Sequence, residues 1–252
     1  MKAKKRQHDL SEWFLHLDKS LWLKGDDTGE EDAQFIVRTL ALKSGDSVLD
    51  CPCGAGRIGI HLARAGCAVT GVDLQDSFLR RARRRFRTER LAGSFHRRDM
   101  RELEFADRFD AVVNWNGSFG YFTDSENLDV LRRFSRALKP GGRVVIEQLN
   151  REVMLRHFRP VMQFRNCTLH SRWNRVSECV QTTWIRSIGG RKRSCRSRMR
   201  IYTPGQFGRL FERAGLRVEA MYGSLDGSEY RRNSGRIRVV GRKVATTPDL
   251  AR

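Results

Sequence analysis

Val48-Leu49-Asp50-Cys51-Pro52-Cys53-Gly54-Ala55-Gly56-Arg57 is the stretch that decides the fold of this 252-residue chain. An apolar run ends in an acid, a glycine-rich turn follows, and residues 57–65 read as a helix. Glycine lets the backbone come close to a ligand, because no Cβ stands in the way. Open α/β sheets hold ligands at the carboxyl ends of their strands, which is where this turn lies. Gly54-Ala55-Gly56-Arg57-Ile58-Gly59 also spells GxGxxG, so the loop taken alone fits a dinucleotide site equally well.

Strands and helices alternate on either side of the loop. A helix preceded by the capping pattern Thr28-Gly29-Glu30-Glu31 turns Ala33, Ile36, Val37 and Leu40 inward. Strands are expected at 47–51, 68–72, 93–96, 110–114 and 143–148, with helices at 57–65, 76–87 and 124–138. Thr123-Asp124-Ser125-Glu126 caps the last of these helices, and Lys139-Pro140-Gly141-Gly142 reads as a turn. Such alternation predicts a doubly wound, mostly parallel sheet with right-handed crossovers. Residues 161–169, 176–188 and 195–201 read instead as extended runs, with a turn at Ser187-Ile188-Gly189-Gly190. They predict an inserted antiparallel sheet over 151–201. Thr203-Pro204-Gly205-Gln206 then opens another helix, and strands at 216–222 and 236–242 close the domain. The expected organisation is a helical cap over 1–28, a ligand-binding domain over 29–150 and 202–245, and a substrate lid over 151–201.

The acids separate the two readings of the loop. Asp50 stands at its mouth, where it would repel a pyrophosphate and attract an ammonium group. Asp73 ends the second strand, where a carboxylate accepts hydrogen bonds from both hydroxyls of a ribose. Asp99-Met100 follows the third strand; a carboxylate there can take an adenine amino group while the thioether lies on the ring.

Several segments together resemble the class I S-adenosylmethionine-dependent methyltransferases, in their small-molecule branch. They are the glycine loop, Gly71-Val72-Asp73, Asp99-Met100-Arg101, Phe109-Asp110-Ala111-Val112, Gly117-Ser118-Phe119-Gly120-Tyr121-Phe122 and Leu138-Lys139-Pro140-Gly141-Gly142. The resemblance covers residues 30–150 strongly and 200–242 more weakly. It implies a seven-stranded, Rossmann-like sheet whose last strand is antiparallel. It also implies S-adenosylmethionine as cofactor and a β insertion at this point of the chain. The implied cofactor residues are Asp50, Cys51, Pro52, Cys53, Gly54, Ala55, Gly56, Arg57, Asp73, Leu74, Asp99, Met100, Asn114, Trp115 and Asn116. Relatives that methylate base amines or protein amides often carry Asn/Asp-Pro-Pro-Tyr after the fourth strand. Asn114-Trp115-Asn116-Gly117 lacks those prolines, which turns the reading away from such substrates.

A sulfonium methyl is already electrophilic. The protein must therefore align a nucleophile and exclude water, and a dedicated base is optional. Tyr121 and Tyr202 are the candidate catalytic side chains, with aromatic packing as the alternative for each. Glu147, His157 and His170 are further candidate bases, and His61 reads as structural. Trp13 and Trp22, in an amphipathic segment at 10–23, either close the cofactor site or pack on the core.

Bulk composition bounds the rest. The net charge is +20, and residues 151–252 carry 23 Lys/Arg against 7 Asp/Glu. Arg191, Lys192, Arg193, Arg196 and Arg198 would form one nucleic-acid-binding face beside the cleft if the acceptor were RNA. The alternative is compositional, since Arg outnumbers Lys 40 to 9, as GC-rich coding would produce. No run of apolar residues is long enough to span a membrane. The six cysteines show no zinc-ligand spacing, so no metal is expected, and free thiols in a reducing cytoplasm are. The predicted partner is a small-molecule substrate, and the protein is expected to be a monomer or homodimer; a cofactor-fold binding protein without activity is the non-enzymatic alternative.

Overall fold

The computed structural model describes residues 29–164, 167–188 and 191–244. Its elements are α1 (Glu30–Leu40), β1 (Ser47–Asp50), α2 (Gly59–Arg64), β2 (Ala68–Asp73), α3 (Asp76–Thr88), β3 (Gly93–Arg97), β4 (Phe109–Asn114), α4 (Asp124–Ala137) and β5 (Leu138–Leu149). There follow α5 (Arg151–Arg156), β6 (Val161–Phe164), β7 (Cys167–Asn174), β8 (Cys179–Ile188), β9 (Arg191–Arg200), α6 (Pro204–Arg213), β10 (Leu216–Tyr222) and β11 (Arg236–Lys243). The main sheet runs β3-β2-β1-β4-β5-β11-β10. β1 to β5 pair in parallel, and β11 is antiparallel to both β5 and β10. This is the doubly wound sheet with a reversed last strand that the alternation and the resemblance imply.

Helices cover both faces, which is why the central strands are apolar on both sides. α1, α2 and α3 bury Phe35, Ile36, Ile60, Leu62, Leu79 and Phe86 on one face. α4 and α6 bury Leu131, Phe134, Phe207 and Phe211 on the other. Both late helices begin with the capping boxes read from sequence. The Thr123 hydroxyl accepts from the Glu126 N–H and the Glu126 carboxylate accepts from the Thr123 N–H. Thr203 and Gln206 repeat the arrangement, with Pro204 in the first turn. The strand order reverses between β1 and β4, with β2 and β3 added on one side and β4 and β5 on the other, so the connections after β1 and β4 run to opposite faces and leave a crevice.

Several boundaries differ from the sequence reading. α1 starts at Glu30 after Gly29, with no side-chain cap, and the expected N-cap Thr28 lies outside the described residues. The residue range 10–23 lies outside them too. α2 begins at Gly59 rather than residue 57, because the glycine loop extends through Arg57. Residues 139–142 are an excursion within β5, not a turn before it. The register with β4 jumps from Phe109↔Leu138 to Ala111↔Arg143, and Lys139 is pinned to Asp110 at 2.7 Å.

The inserted antiparallel sheet is present, in the order β6-β7-β8-β9. The extended run 161–169 is two strands, β6 and β7, paired through Phe164↔Cys167. β8 starts at Cys179 rather than 176, after a turn, and β9 starts at Arg191 rather than 195. α5 precedes the sheet and was not expected there. Leu169, Trp184 and Cys195 pack the sheet onto the main core.

Candidate functional site

A cleft enclosing ≈ 1330 Å³, its open mouth included, lies across the carboxyl ends of β1 to β4. Asp50, Cys51, Pro52, Cys53, Gly54, Ala55 and Arg57 line it from the glycine loop. Asp73 and Leu74 line it after β2, Asp99 and Met100 after β3, and Trp115, Asn116 and Tyr121 after β4. Thus the structure gathers residues as far apart in the chain as Asp50 and Tyr121 around one space.

The loop is shaped by glycine. Gly54 and Gly56 sit at φ +54° and +76°, in the left-handed region that L side chains avoid. A Cβ on Gly54 would meet nothing within 4 Å, whereas one on Gly56 would press on Ala82 of α3 at 3.1 Å. Gly56 therefore serves the close packing of loop on helix and does not line the cleft.

Asp73 is held by backbone. Its Oδ2 accepts from the Gly54 N–H at 2.8 Å and its Oδ1 from the Gln75 N–H at 2.8 Å. Burial raises its carboxyl above the ordinary range, and those N–H groups pull in the other direction. Asp50 is 2% exposed, and its Oδ2 is buried with no hydrogen-bond partner. Burial pushes its carboxyl up to about 7; the Arg57 guanidinium opposes that, while the charge on Asp73 adds to it. Arg57 is itself fixed by Asp32 of α1 at 2.6 Å.

Asp50 lines the cleft, and a buried acid with an unused oxygen is unfavourable unless something compensates it. A cationic amine would compensate Asp50, and a diol would suit the oriented oxygens of Asp73. The residues present therefore fit S-adenosylmethionine, which carries both groups. Asp99 is already engaged, since its oxygens take the Arg101 guanidinium at 2.6 Å and the Arg101 N–H at 2.8 Å. Arg101 in turn lies 4.5 Å over the ring of Phe122.

The wall after β4 is formed by Trp115, Asn116, Ser118, Tyr121 and Phe122. Burial drives the Tyr121 phenol further above its usual range, which disfavours the phenolate. Arg238 backs Trp115 from behind, 5.6 Å from the ring, and pairs with Glu147 at 3.2 Å. Arg236 takes the other oxygen of Glu147 at 3.0 Å, which removes Glu147 as a candidate base in the cleft.

Other expected site residues lie elsewhere. Asn114 is buried beneath the cleft, where its amide donates to the Cys51 carbonyl at 2.9 Å. Tyr202 packs against Phe119 and Phe207; its hydroxyl donates to Asp124 at 3.1 Å and accepts from the Asn127 amide at 3.0 Å. It does not line the cleft, so the packing alternative describes it. His61 sits on α2, and His157 and His170 are exposed away from the cleft. Trp13 and Trp22 lie outside the described residues.

The basic residues of β9 do not share one face. Side chains alternate along a strand, so Arg191 and Arg193 point to one side of the sheet while Lys192, Arg196 and Arg198 point to the other. The sequence reading missed Arg81, Arg85 and Arg98, which line the cleft from α3 and the end of β3. The helical period was available as a signal: Phe78, Ala82 and Arg85 fall on the face turned to the loop.

The family described as Methyltransferase domain matches residues 48–142. The dTDP-3-amino-3,6-dideoxy-alpha-D-glucopyranose N,N-dimethyltransferase of Streptomyces fradiae is 30% identical over 220 residues, 81% of this chain and 83% of its own length. The dTDP-3-amino-3,4,6-trideoxy-alpha-D-glucopyranose N,N-dimethyltransferase of Streptomyces venezuelae is 28% identical, over 78% of this chain and 85% of its own. Among solved structures, the CcbJ methyltransferase from Streptomyces caelestis superposes with a TM-score of 0.73 at 20% identity, covering 94% of this chain and 96% of that one. That likeness establishes the fold.

Proposed function

Since this chain belongs to the S-adenosylmethionine-dependent methyltransferases, we propose that it methylates a nitrogen or oxygen nucleophile of a small molecule, with an amino-sugar nucleotide as the favoured acceptor. When bound, S-adenosylmethionine would supply an electrophilic methyl group to the acceptor's lone pair, its sulfur keeping the bonding electron pair, and the proton left on the methylated nitrogen or oxygen would pass to solvent. The observation that carries the cofactor side of the reading is Asp50, buried with an unpartnered Oδ2, lining the same cleft as the backbone-anchored Asp73.

Residue roles follow from chemistry. Asp50 receives the cofactor's ammonium group. Asp73 accepts from the ribose hydroxyls while Gly54 and Gln75 keep its oxygens aimed. Leu74 and Met100 flank the adenine, and Asp99, steadied by Arg101, takes its amino group. Trp115, Asn116, Ser118 and Tyr121 form the acceptor wall and exclude water. An amine acceptor attacks only in its neutral form. Tyr121, kept protonated, orients the acceptor through a hydrogen bond rather than by removing a proton.

The acceptor class rests on the two Streptomyces relatives, which match most of their own length. Residues 29–150 and 202–245 act as the cofactor-binding domain, and 151–201 as the substrate lid. Free thiols at all six cysteines suit a reducing cytoplasm. Among the described residues no helix is long and apolar enough to cross a membrane.

The test is turnover. Purified protein, S-adenosylmethionine and dTDP-3-amino-3,4,6-trideoxy-alpha-D-glucopyranose are incubated and followed by mass spectrometry. The expected result is a sugar nucleotide heavier by one or two methyl groups, with matching S-adenosylhomocysteine. An unmodified sugar nucleotide would remove this acceptor class.

A further inference from the structure

The acceptor wall is not free-standing. Residues 118–122 form a strap tied at two successive carbonyls, one to the inserted sheet and one to β5 of the main sheet. The Gly120 carbonyl accepts from the backbone N–H of Arg200, the last residue of β9, at 2.7 Å. The Phe119 carbonyl accepts from the side-chain amide of Gln148 on β5 at 3.0 Å. That same amide donates to the Arg200 carbonyl at 2.8 Å, while its oxygen accepts from the Tyr202 N–H at 2.8 Å. Gln148 is 0% exposed. One buried side chain thus closes three hydrogen bonds among the strap, the end of β9 and the start of α6.

Local sequence supports so close an approach. Gly120 lies at φ +102°, and a Cβ there would run into the Arg200 carbonyl. Tyr121 and Ser118, which flank the two tied carbonyls, both face the cleft. Beyond them, Phe122 is bracketed by the Asn127 amide, which donates to its carbonyl at 3.0 Å and accepts from its N–H at 3.3 Å.

The geometry points to Gln148 as a positioning residue for the acceptor wall: its amide locks the strap to the β9–α6 junction and thereby fixes Tyr121 at the cleft. This rests on the reading of Tyr121 as an acceptor-side residue. Gln148 touches neither the cleft nor the glycine loop, so its loss should move the acceptor side and leave the cofactor side in place. Displacement of about an ångström at a reacting centre costs on the order of a hundredfold in rate.

The test uses the full chain carrying 3-fluorotyrosine, with the Tyr121 resonance assigned by its disappearance in Tyr121→Phe. Gln148→Met keeps the side chain's length and removes all three hydrogen bonds. In that variant the Tyr121 and Tyr202 resonances should shift while those of Tyr222 and Tyr230 stay, and S-adenosylmethionine affinity should hold within about twofold. Should Gln148→Met not fold, Gln148→Glu keeps the acceptor for Tyr202 and removes both donors, and the same shifts are expected. An unmoved Tyr121 resonance in a folded variant overturns the proposal, as does loss of cofactor affinity parallel to any shift. With the amino-sugar nucleotide as acceptor, kcat/KM should fall on the order of tenfold or more in Gln148→Met, and adding Tyr121→Phe should cost little further. Full additivity overturns the coupling. The acceptor-side reading of Tyr121 fails separately, if Tyr121→Phe alone leaves turnover unchanged.

Discussion

The backbone N–H of Gly54 donates to Oδ2 of Asp73 at 2.8 Å, so the glycine loop and the acid after the second strand are one unit rather than two motifs. Gly54 holds φ +54° and faces open space. In Gly54→Ala the N–H survives, but an L side chain must adopt the left-handed region and its methyl projects into the cleft. We expect a stability loss of about 1 kcal/mol by thermal melting. The same variant should bind S-adenosylmethionine several-fold more weakly by calorimetry.

Asp50 makes cofactor binding depend on pH. Its carboxyl is held at about 7 by burial, and only the ionised form attracts an ammonium group. Affinity should therefore rise as pH goes from 6 to about 8 and then level off. Asp50→Asn should flatten the profile at low affinity. The folding sign is opposite. A carboxyl raised in the fold from its ordinary 3.8 favours the folded state at low pH, and that contribution fades as pH rises through about 7. At pH 8 the ligand-free Asp50→Asn protein should melt higher than wild type. Equal melting, with a pH-independent affinity in the wild type, would contradict this account of Asp50.

The two tyrosines should separate. Tyr202→Phe removes a hydroxyl that bridges Asp124 and Asn127. It should cost about 1 kcal/mol in stability and leave kcat near wild type. Tyr121→Phe should leave the melting temperature near wild type and reduce kcat/KM for the acceptor. Steady-state kinetics beside thermal melts checks both, and the reverse pattern would exchange their roles.

Arg200 should matter to the seating of the inserted sheet. Its guanidinium, 8% exposed, bridges Asp124 at 3.0 Å on α4 and Glu178 at 2.5 Å in the turn before β8. Arg200→Ala leaves Glu178 with the Arg151 guanidinium at 2.7 Å and the Gln206 amide at 2.7 Å, and leaves Asp124 without its cation. A loss of roughly 1–3 kcal/mol is expected, with faster hydrogen exchange in β8 and β9 than in β1 and β4.

Much of the fold was legible because its signals are local. The strand–glycine–helix turn at 48–59, the capping boxes at Thr123 and Thr203, and the acids ending successive strands are all contained within a few residues. What was not legible depends on partners far apart in the chain. Gln148 meets Arg200 across 52 positions, and Asn127 meets Tyr202 across 75; no local pattern marks either pair. Tyr202 looked available for chemistry because a lone tyrosine gives no sign of what will bury it. The basic run at 191–198 suggested one charged face, but strand alternation divides it between two. α5 escaped notice because six residues carry too short a period to stand out.

The central claim, that this cleft holds S-adenosylmethionine through Asp73, is tested most directly by titrating S-adenosylmethionine into the purified wild-type chain and into Asp73→Ala in a calorimeter. The account predicts one-to-one binding by the wild type and a loss of at least about tenfold in the variant, the order expected when a charge-assisted hydrogen bond is removed. No heat from the wild type, or equal affinity in a folded Asp73→Ala, would contradict it.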